Sequence, residues 1–435
     1  MDYYVKDISL AEKGKKAVEI SLMDMPGLEE LARLYEDKKP LNGIKITGCV
    51  IVTYETAAFI LLLKKLGADL RWCSDNKYAS LDDACAFVAS KGIPIFATSE
   101  LTDEKYEWCF EQAAKFKDKN GNTVWPDITI DDGCDITRFL HEKYPEAYET
   151  ILGTCEQTTC GVNAHYNLKG EKRLNTAVIN VNESVTKSKF DNIYGSRESL
   201  IEGLQSSINL QIGGKKTVIY GYGEVGKGCA KVLRGLGANV HIVEIDPIIA
   251  MQAYMEGFSV VNRNEAAEIG EIFVTATGCV KTVAREDLQK MNDGAVLMNM
   301  GHGNMEIDTD YLLRSREHIV EKISDNLQKI TLSPDKRLYL LAEGYLVNLV
   351  GGDGHPPRVM SITYTNHILA ILDLLGNKGK YKKGEIYRLP RELDEKAARL
   401  NFPGISGKLT ILTDEQEKYL GVKKTGPYKR EDYRY

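Results

Sequence analysis

Gly221-Tyr222-Gly223-Glu224-Val225-Gly226 spells GxGxxG, and Glu244 stands 18 residues beyond its last glycine. Glycines so spaced allow a tight turn, bring backbone against a pyrophosphate and pack a helix closely on a strand. The helix N-terminus would face the phosphates. A carboxylate at Glu244 would accept both adenosine ribose hydroxyls and repel a 2′-phosphate, which favours NAD over NADP. Lys187 and Asp191 lie in INVNESVTKSKFDN at 179–192. A lysine desolvated in a cleft could act as a base oriented by Asp191, although a solvated Lys/Asp face has the same composition. His302 in MNMGHGN and His355 in GGDGHPP each sit among glycines. They read either as site residues or as ordinary core or surface histidines. Asp131-Asp132-Gly133-Cys134-Asp135 crowds three carboxylates, not all of which need ionise, so one could serve as an acid. Metal binding is the rival reading there, but no companion histidine or EF-hand spacing supports it.

These residues need elements to position them. Lys45–Thr53 reads as a strand and 55–66 as the helix after it. Further strands are expected at 70–73, 93–97 and 127–131, with helices at 81–90 and 104–116 between them. A β-rich run at 176–181 precedes Lys187. A second cycle starts with a strand at 216–221, a helix at 224–236 and a strand at 239–245. It continues through strands at 272–277, 295–300 and 338–341, and a helical stretch follows at 365–375. Strands alternating with helices of this length indicate parallel βαβ units. Ligands in such folds bind beyond the carboxyl ends of strands, which gives Thr53 and Asp132 site potential.

The chain has 435 residues, enough for two or three domains. With 43% hydrophobic and 27% charged residues it reads as globular, not fibrous or disordered. The net charge of -6 offers no basic excess for nucleic acid or an anionic membrane. No run approaches the roughly 18 apolar residues of a membrane span. The segment MDYYVKDISLAEKGKK lacks the basic-then-apolar order of a secretory signal, so a cytoplasmic protein is expected. Nine cysteines, none in a CxxC pair, read mostly as small buried apolar residues. No structural metal is expected.

Together the motifs resemble the S-adenosylhomocysteine hydrolase family over essentially the whole chain. They run from MPGL at 25–28 through DDGCD at 131–135, INVNESVTKSKFDN at 179–192, GYGEVGKG at 221–228 and EIDP at 244–247. They continue with MGH at 300–302, LAEGYLVNL at 341–349, GHP at 354–356 and the terminal YRY. The resemblance implies an enzyme with tightly bound NAD that oxidises a nucleoside 3′-hydroxyl, making the C4′ proton acidic. The 5′ thiol is then eliminated, water is added and the ketone is reduced. Lys187 and Asp191 match the pair that takes the 3′-hydroxyl proton. Asp132 matches the acid/base at the C4′/C5′ side, and His302 lies by the reacting ribose. Thr53, Glu55 and His355 match adenine-pocket positions, with Gln157 in the same substrate wall. Thr158, Thr159, Asn192, Glu244 and Asn348 match NAD contacts. Lys429 and Tyr433 match an arm reaching a neighbouring subunit's NAD, which implies a homo-oligomer, typically a tetramer.

The departures cluster. Where the family reads GC-L-H-M-T, this chain has Gly48-Cys49-Val50-Ile51-Val52-Thr53, so isoleucine replaces the histidine associated with 5′ chemistry. The family's second glutamate in S-E-E-T-T-T is Gln157, between Cys155 and Cys160, and C-N-x-x-S-T-Q-D becomes Asp75–Asp82. Asp353 replaces a methionine and Gly303 a bulky aromatic. Three readings follow: a slower hydrolase of the usual kind on S-adenosylhomocysteine, a nucleoside dehydratase or lyase using the same redox-elimination, or a non-catalytic NAD-holding regulator. The fold expected is α/β, with two doubly wound parallel-sheet domains. A Rossmann-type NAD domain at 194–352 is inserted in a substrate domain of 1–193 and 353–402, with an oligomerisation arm at 403–435.

Overall fold

A computed structural model describes residues 2–377, 379–431, 433 and 435. The chain forms two units, Met1–Ser188 with Pro357–Tyr435, and Lys189–Pro356. The observed class is α/β in both, each unit built on its own doubly wound sheet.

In the first unit seven parallel strands run in the order Ile386–Arg388, Val178–Asn180, Gly153–Glu156, Ile128–Asp131, Lys45–Cys49, Asp69–Cys73, Ile95–Phe96. Chain order reverses between Lys45–Cys49 and Ile128–Asp131, which opens a crevice at their carboxyl ends. The segment after Lys45–Cys49 does not continue the strand to Thr53. The ladder stops where Cys49 pairs Cys73. Beyond it, Val50 N–H reaches Cys73 O and Val52 O accepts from Leu81 N–H, so 50–53 becomes a strand-end loop. Thr53 then caps helix Tyr54–Lys65, accepting from Thr56 N–H, with Lys64 and Lys65 in the last turn where the helix dipole favours cations.

Helix Pro357–Gly376 begins eight residues before the expected 365, and it packs on helices Pro26–Tyr35, Tyr54–Lys65 and Arg391–Asn401. By length and composition it could cross a membrane, but 72% of its apolar window is buried in this unit. That qualifies the sequence expectation: burial on all sides within a core produces the same composition as a span. Seven cysteines are buried, while Cys160 is half-buried and Cys279 exposed.

The second unit's sheet runs Ser259–Val260, Asn239–Val243, Lys216–Tyr220, Ile272–Thr275, Ala295–Asn299, Lys336–Leu341, Leu327–Ser333, Ile319–Ser324. Its reversal falls between Lys216–Tyr220 and Ile272–Thr275. The last two strands are antiparallel, a hairpin absent from the sequence reading. Every residue of Ile319–Ser324 is exposed, so that edge strand carries no buried-face pattern to detect.

Candidate active site

In the first unit the two strands flanking the reversal deliver Thr53 and Asp132 into the crevice. Asp132 follows Ile128–Asp131, and its N–H bonds Cys49 O at 3.1 Å. Gln157, at the end of Gly153–Glu156, donates from Nε2 to Asp132 Oδ2 at 2.7 Å. Its Oε1 faces Nε2 of His367 at 3.1 Å. His367 is fully buried on helix Pro357–Gly376, and nothing in the sequence flagged it. Thr56 Oγ1 lies 2.7 Å from the hydroxyl of Tyr364, one helical turn before His367, and Phe59 stacks on Tyr364. Glu55 is buried with Oε1 accepting from Ser21 Oγ at 2.8 Å.

Glu156 holds this end of the sheet together. Its buried carboxylate accepts from the N–H groups of Gly133, Cys134 and Thr158 and from the Thr158 hydroxyl, at 2.9–3.2 Å. Gly133 and Cys134 have φ of +88° and +66°, so successive N–H groups point inward as an anion nest and the strained Cys134 is tied to its acceptor. Burial, with the charges of Asp131 and Asp132, pushes the Glu156 carboxyl up, and the bond from Thr158 N–H pulls it back. Asp131 is pushed up to about 6 by burial, opposed by bonds from Thr137 and Ile136. His165 is pushed down to about 4, chiefly by burial.

Asp131, Glu156 and His165 bring one ligating atom each within 4.8 Å of one another. These atoms already have other bonds: Asp131 accepts from Ile136 and Thr137 N–H, and His165 Nδ1 meets Gly161 O at 2.8 Å. The cluster is a clamp on the Asp132 and Thr158 loops. Thr158 Oγ1 accepts from Gly133 N–H at 2.9 Å. Thr159 Oγ1 accepts from Asn182 Nδ2 at 3.0 Å, and Asn182 Oδ1 accepts from Lys187 Nζ at 3.2 Å. Lys187 is buried on the short helix Val185–Ser188, whose first N–H groups are capped by Asp394 from Arg391–Asn401. Asp394 was not foreseen, because it comes from a helix some 200 residues away.

Lys429 and Tyr433 belong to this unit's terminal segment. It folds back on Arg391–Asn401, with Tyr428 N–H to Glu395 and Arg391 Nη2 to Tyr433 O at 3.1 Å. Lys429 Nζ lies 4.8 Å from the Tyr433 ring centroid. Arg434 of the YRY motif lies outside the described residues.

In the second unit Gly221 ends strand Lys216–Tyr220 with φ of +92°, where an L side chain is strained. A Cβ on Gly226 would meet Gly221 O at 1.9 Å, so helix and turn touch through bare backbone. Gly223 N-caps the 12-residue helix Glu224–Gly235, and no side chain caps it. A Cβ there would meet open space. The loop thus presents uncapped N–H groups to a free volume, which fits a pyrophosphate. Val225 stands in the first turn, and Glu224 is held by Lys189 at 2.6 Å and Lys227 at 3.3 Å. Glu244 accepts from the N–H groups of Tyr222, Ile245 and Asp246 at 2.7–3.0 Å, which fixes its carboxylate beside the loop. Asn348 is buried with its Oδ1 meeting no protein donor, a polar atom suited to a bound amide or hydroxyl.

Asp191 and Asn192 open the turn Asp191–Gly195, and Asp191 Oδ1 lies 2.6 Å from His355 Nδ1. A Cβ on Gly195 would meet His355 Nδ1 at 2.5 Å, so that glycine makes room for the imidazole. His302 follows strand Ala295–Asn299, and its loop hangs on Glu306, another residue the motifs did not single out. Buried Glu306 accepts from Thr277, Gly278 and His302 N–H at 2.7–3.2 Å, joining both loops past the strand ends.

Two family models match the chain: "S-adenosyl-L-homocysteine hydrolase, NAD binding domain" over residues 192–354, and "S-adenosyl-L-homocysteine hydrolase" over residues 2–144. Among solved structures, a dipicolinate synthase chain from Bacillus halodurans is similar at 10% identity. That match covers 76% of this chain and 98% of that one with a TM-score of 0.41. A dipicolinate synthase chain from Bacillus subtilis is similar at 12% identity, 77% and 98% coverage and a TM-score of 0.40. A glyoxylate reductase from Paecilomyes thermophila is similar at 15% identity, 62% and 77% coverage and a TM-score of 0.31.

Proposed function

The chain belongs to the S-adenosyl-L-homocysteine hydrolase family and carries its NAD-binding domain, and on that basis we propose an enzyme that eliminates the 5′ substituent of an adenine nucleoside after oxidising C3′. The observation that carries this reading is the uncapped helix N-terminus over the open volume at Gly223, inside a domain of that family. Bound NAD supplies a reversible two-electron acceptor for C3′. Gly221, Gly223, Gly226 and the first turn at Glu224 and Val225 hold its pyrophosphate. Glu244 takes the ribose hydroxyls, and Asn192, Asn348, Thr158 and Thr159 line the rest of its site. Lys429 and Tyr433 complete a neighbour's site in a tetramer.

Lys187, buried and steered by Asn182, takes the 3′-hydroxyl proton, while Asp191 and His355 orient that end of the sugar. A 3′-ketone stabilises negative charge at C4′, so Asp132, positioned by Gln157, can remove the C4′ proton. Thr53 and Glu55 bind the base, and His302 lines the ribose. When S-adenosylhomocysteine is the substrate, the products are adenosine and homocysteine. A lyase that stops at elimination is the second reading. It is favoured by Ile51, an apolar side chain only 7% exposed in the crevice loop, which can carry no proton to an incoming water.

The test mixes NAD-loaded protein with S-adenosylhomocysteine, follows NADH absorbance and identifies the products by mass spectrometry. Adenosine plus homocysteine supports the hydrolase, and an unsaturated nucleoside supports the lyase. Lys187→Ala should abolish NADH formation, and unchanged formation would remove Lys187 from the mechanism.

A further inference from the structure

Lys187 sits on a helix of four residues, Val185–Ser188. A single turn fixes several backbone dihedrals for very few hydrogen bonds, so it persists only where other elements hold it. Within it, the N–H groups of Lys187 and Ser188 bond Ser184 O at 3.0 and 2.8 Å. The outside support comes from the same unit. Asp394 Oδ2 accepts from Val185 N–H at 2.7 Å, and Oδ1 accepts from Thr186 N–H at 2.9 Å and from the Thr186 hydroxyl. Asn366 Nδ2 donates to that hydroxyl oxygen at 2.8 Å. Asp394 thus sets the backbone from which the Lys187 side chain reaches Asn182.

Asp394 is buried, and so is its cation. Arg391, one turn earlier on Arg391–Asn401, brings Nη1 to 3.8 Å from Asp394 Oδ2. The groups that hold Arg391 belong to the terminal segment. Pro390 offers this helix no capping side chain, and Glu431 Oε1 accepts from Arg391 N–H at 3.0 Å in its place. Tyr433 O accepts from Arg391 Nη2 at 3.1 Å, and the Tyr435 ring centroid lies 5.1 Å from the guanidinium carbon. Arg391 Nε meets no acceptor among the described residues, so those contacts carry its orientation. Contacts therefore run unbroken from the terminal segment through Arg391 and Asp394 to the backbone of Lys187.

We propose that Arg391 and Asp394 are positioning residues for Lys187, themselves set by the docking of Glu431, Tyr433 and Tyr435 of the same chain. This rests on Lys187 taking the 3′-hydroxyl proton, as proposed above. The terminal segment then acts on the oxidation step within its own subunit. A base displaced by about 1 Å loses on the order of 10²-fold in rate while substrate still binds.

Asp394→Asn sets an amide NH2 where one oxygen accepts, against a backbone N–H that then has no acceptor. Tyr435→Ala removes only an exposed ring. Both variants and their double, NAD-loaded, are mixed with adenosine, and the rate constant of NADH formation per bound NAD is followed against adenosine concentration. Asp394→Asn should lower the saturating rate about 10²-fold, with half-saturation within a few-fold of the wild type. Tyr435→Ala should lower it about 2–5-fold. The double variant should be as slow as Asp394→Asn alone, because both changes act on one line of contacts. Arg391→Lys takes the place of Asp394→Asn in this comparison if the latter does not accumulate. A wild-type rate in either single variant overturns the proposal. So does a double variant slower by the full Tyr435→Ala factor, or a loss confined to the fraction of protein that holds NAD. Lys187 keeps its role in each of those cases. No NADH from the wild type, or undiminished NADH from Lys187→Ala, overturns that role and this proposal with it.

Discussion

Gln157 joins two titratable side chains through a group that does not titrate. Its amide nitrogen donates to Asp132, so its oxygen must accept, and His367 carries a proton on Nε2 to satisfy it. The amide therefore fixes Asp132's position and His367's tautomer without passing a proton between them. Below this layer, His165 and Asp131 titrate in opposite senses. His165, held down to about 4 by burial, stays neutral in the folded unit while an unfolded chain's histidine protonates near 6.5. Its contribution to stability is complete above that value and is lost as pH falls toward 4. Asp131, pushed up to about 6, contributes most below the ordinary carboxylate range and loses that contribution as pH rises through 6. The two trends offset each other in the wild type. In the difference between wild type and His165→Gln only one survives. Urea melts from pH 7 to pH 4 should show the wild type's advantage shrinking by up to about 3 kcal/mol. A pH-independent gap would mean His165 protonates in place.

At the scale of the element, the turn from Lys216–Tyr220 into Glu224–Gly235 separates folding from binding by a single Cβ. Gly226→Ala drives a methyl into Gly221 O, and the unit should lose about 3 kcal/mol or fail to accumulate. Gly223→Ala meets open space at an ordinary φ of -65°. Its NAD-free melting temperature should match the wild type's, while NAD retained through purification falls sharply, because the methyl takes up room the pyrophosphate needs. Equal NAD occupancy in Gly223→Ala would place the phosphates elsewhere. The crevice loops past Thr275 and Asn299 are likewise joined by one buried carboxylate, Glu306. A Cβ on Gly301 would meet that carboxylate at 1.5 Å, so Gly301 leaves the room in which the Glu306 carboxylate sits.

Across the whole molecule, the match to the NAD binding domain, residues 192–354, falls within the unit Lys189–Pro356, while Asp132 belongs to the other unit. A ligand stabilises what it binds by RT ln(1 + [L]/Kd), about 2.7 kcal/mol at a hundredfold excess over Kd. Stripping NAD should therefore speed amide hydrogen exchange in strands Lys216–Tyr220 and Ile272–Thr275 first. The strands Lys45–Cys49 and Ile128–Asp131 should exchange much as before. Equal deprotection of both sheets would show that the units unfold as one.

The alternation of strand and helix, the GxGxxG turn and the family were legible in the amino-acid sequence, because these depend on local periodicity and short spacing. So was the placing of Asp132 and His302 on loops just past strands, whereas Lys187 lies on the short helix Val185–Ser188 and His355 follows the helix Val347–Val350 instead of a strand. The hairpin at 319–333 and the short strands Gly153–Glu156 and Ile386–Arg388 were not, since there the pattern is too brief or too polar to stand out. Who holds whom is a matter of tertiary structure alone. Asp191 meets His355 across 164 residues, Gln157 meets His367 across 210, and Asp394 caps the Lys187 helix from a distant segment. The sheets bring strand ends together in an order unlike that of the chain. Hydrogen-bond partners there are set by which loops meet, a property no single segment carries.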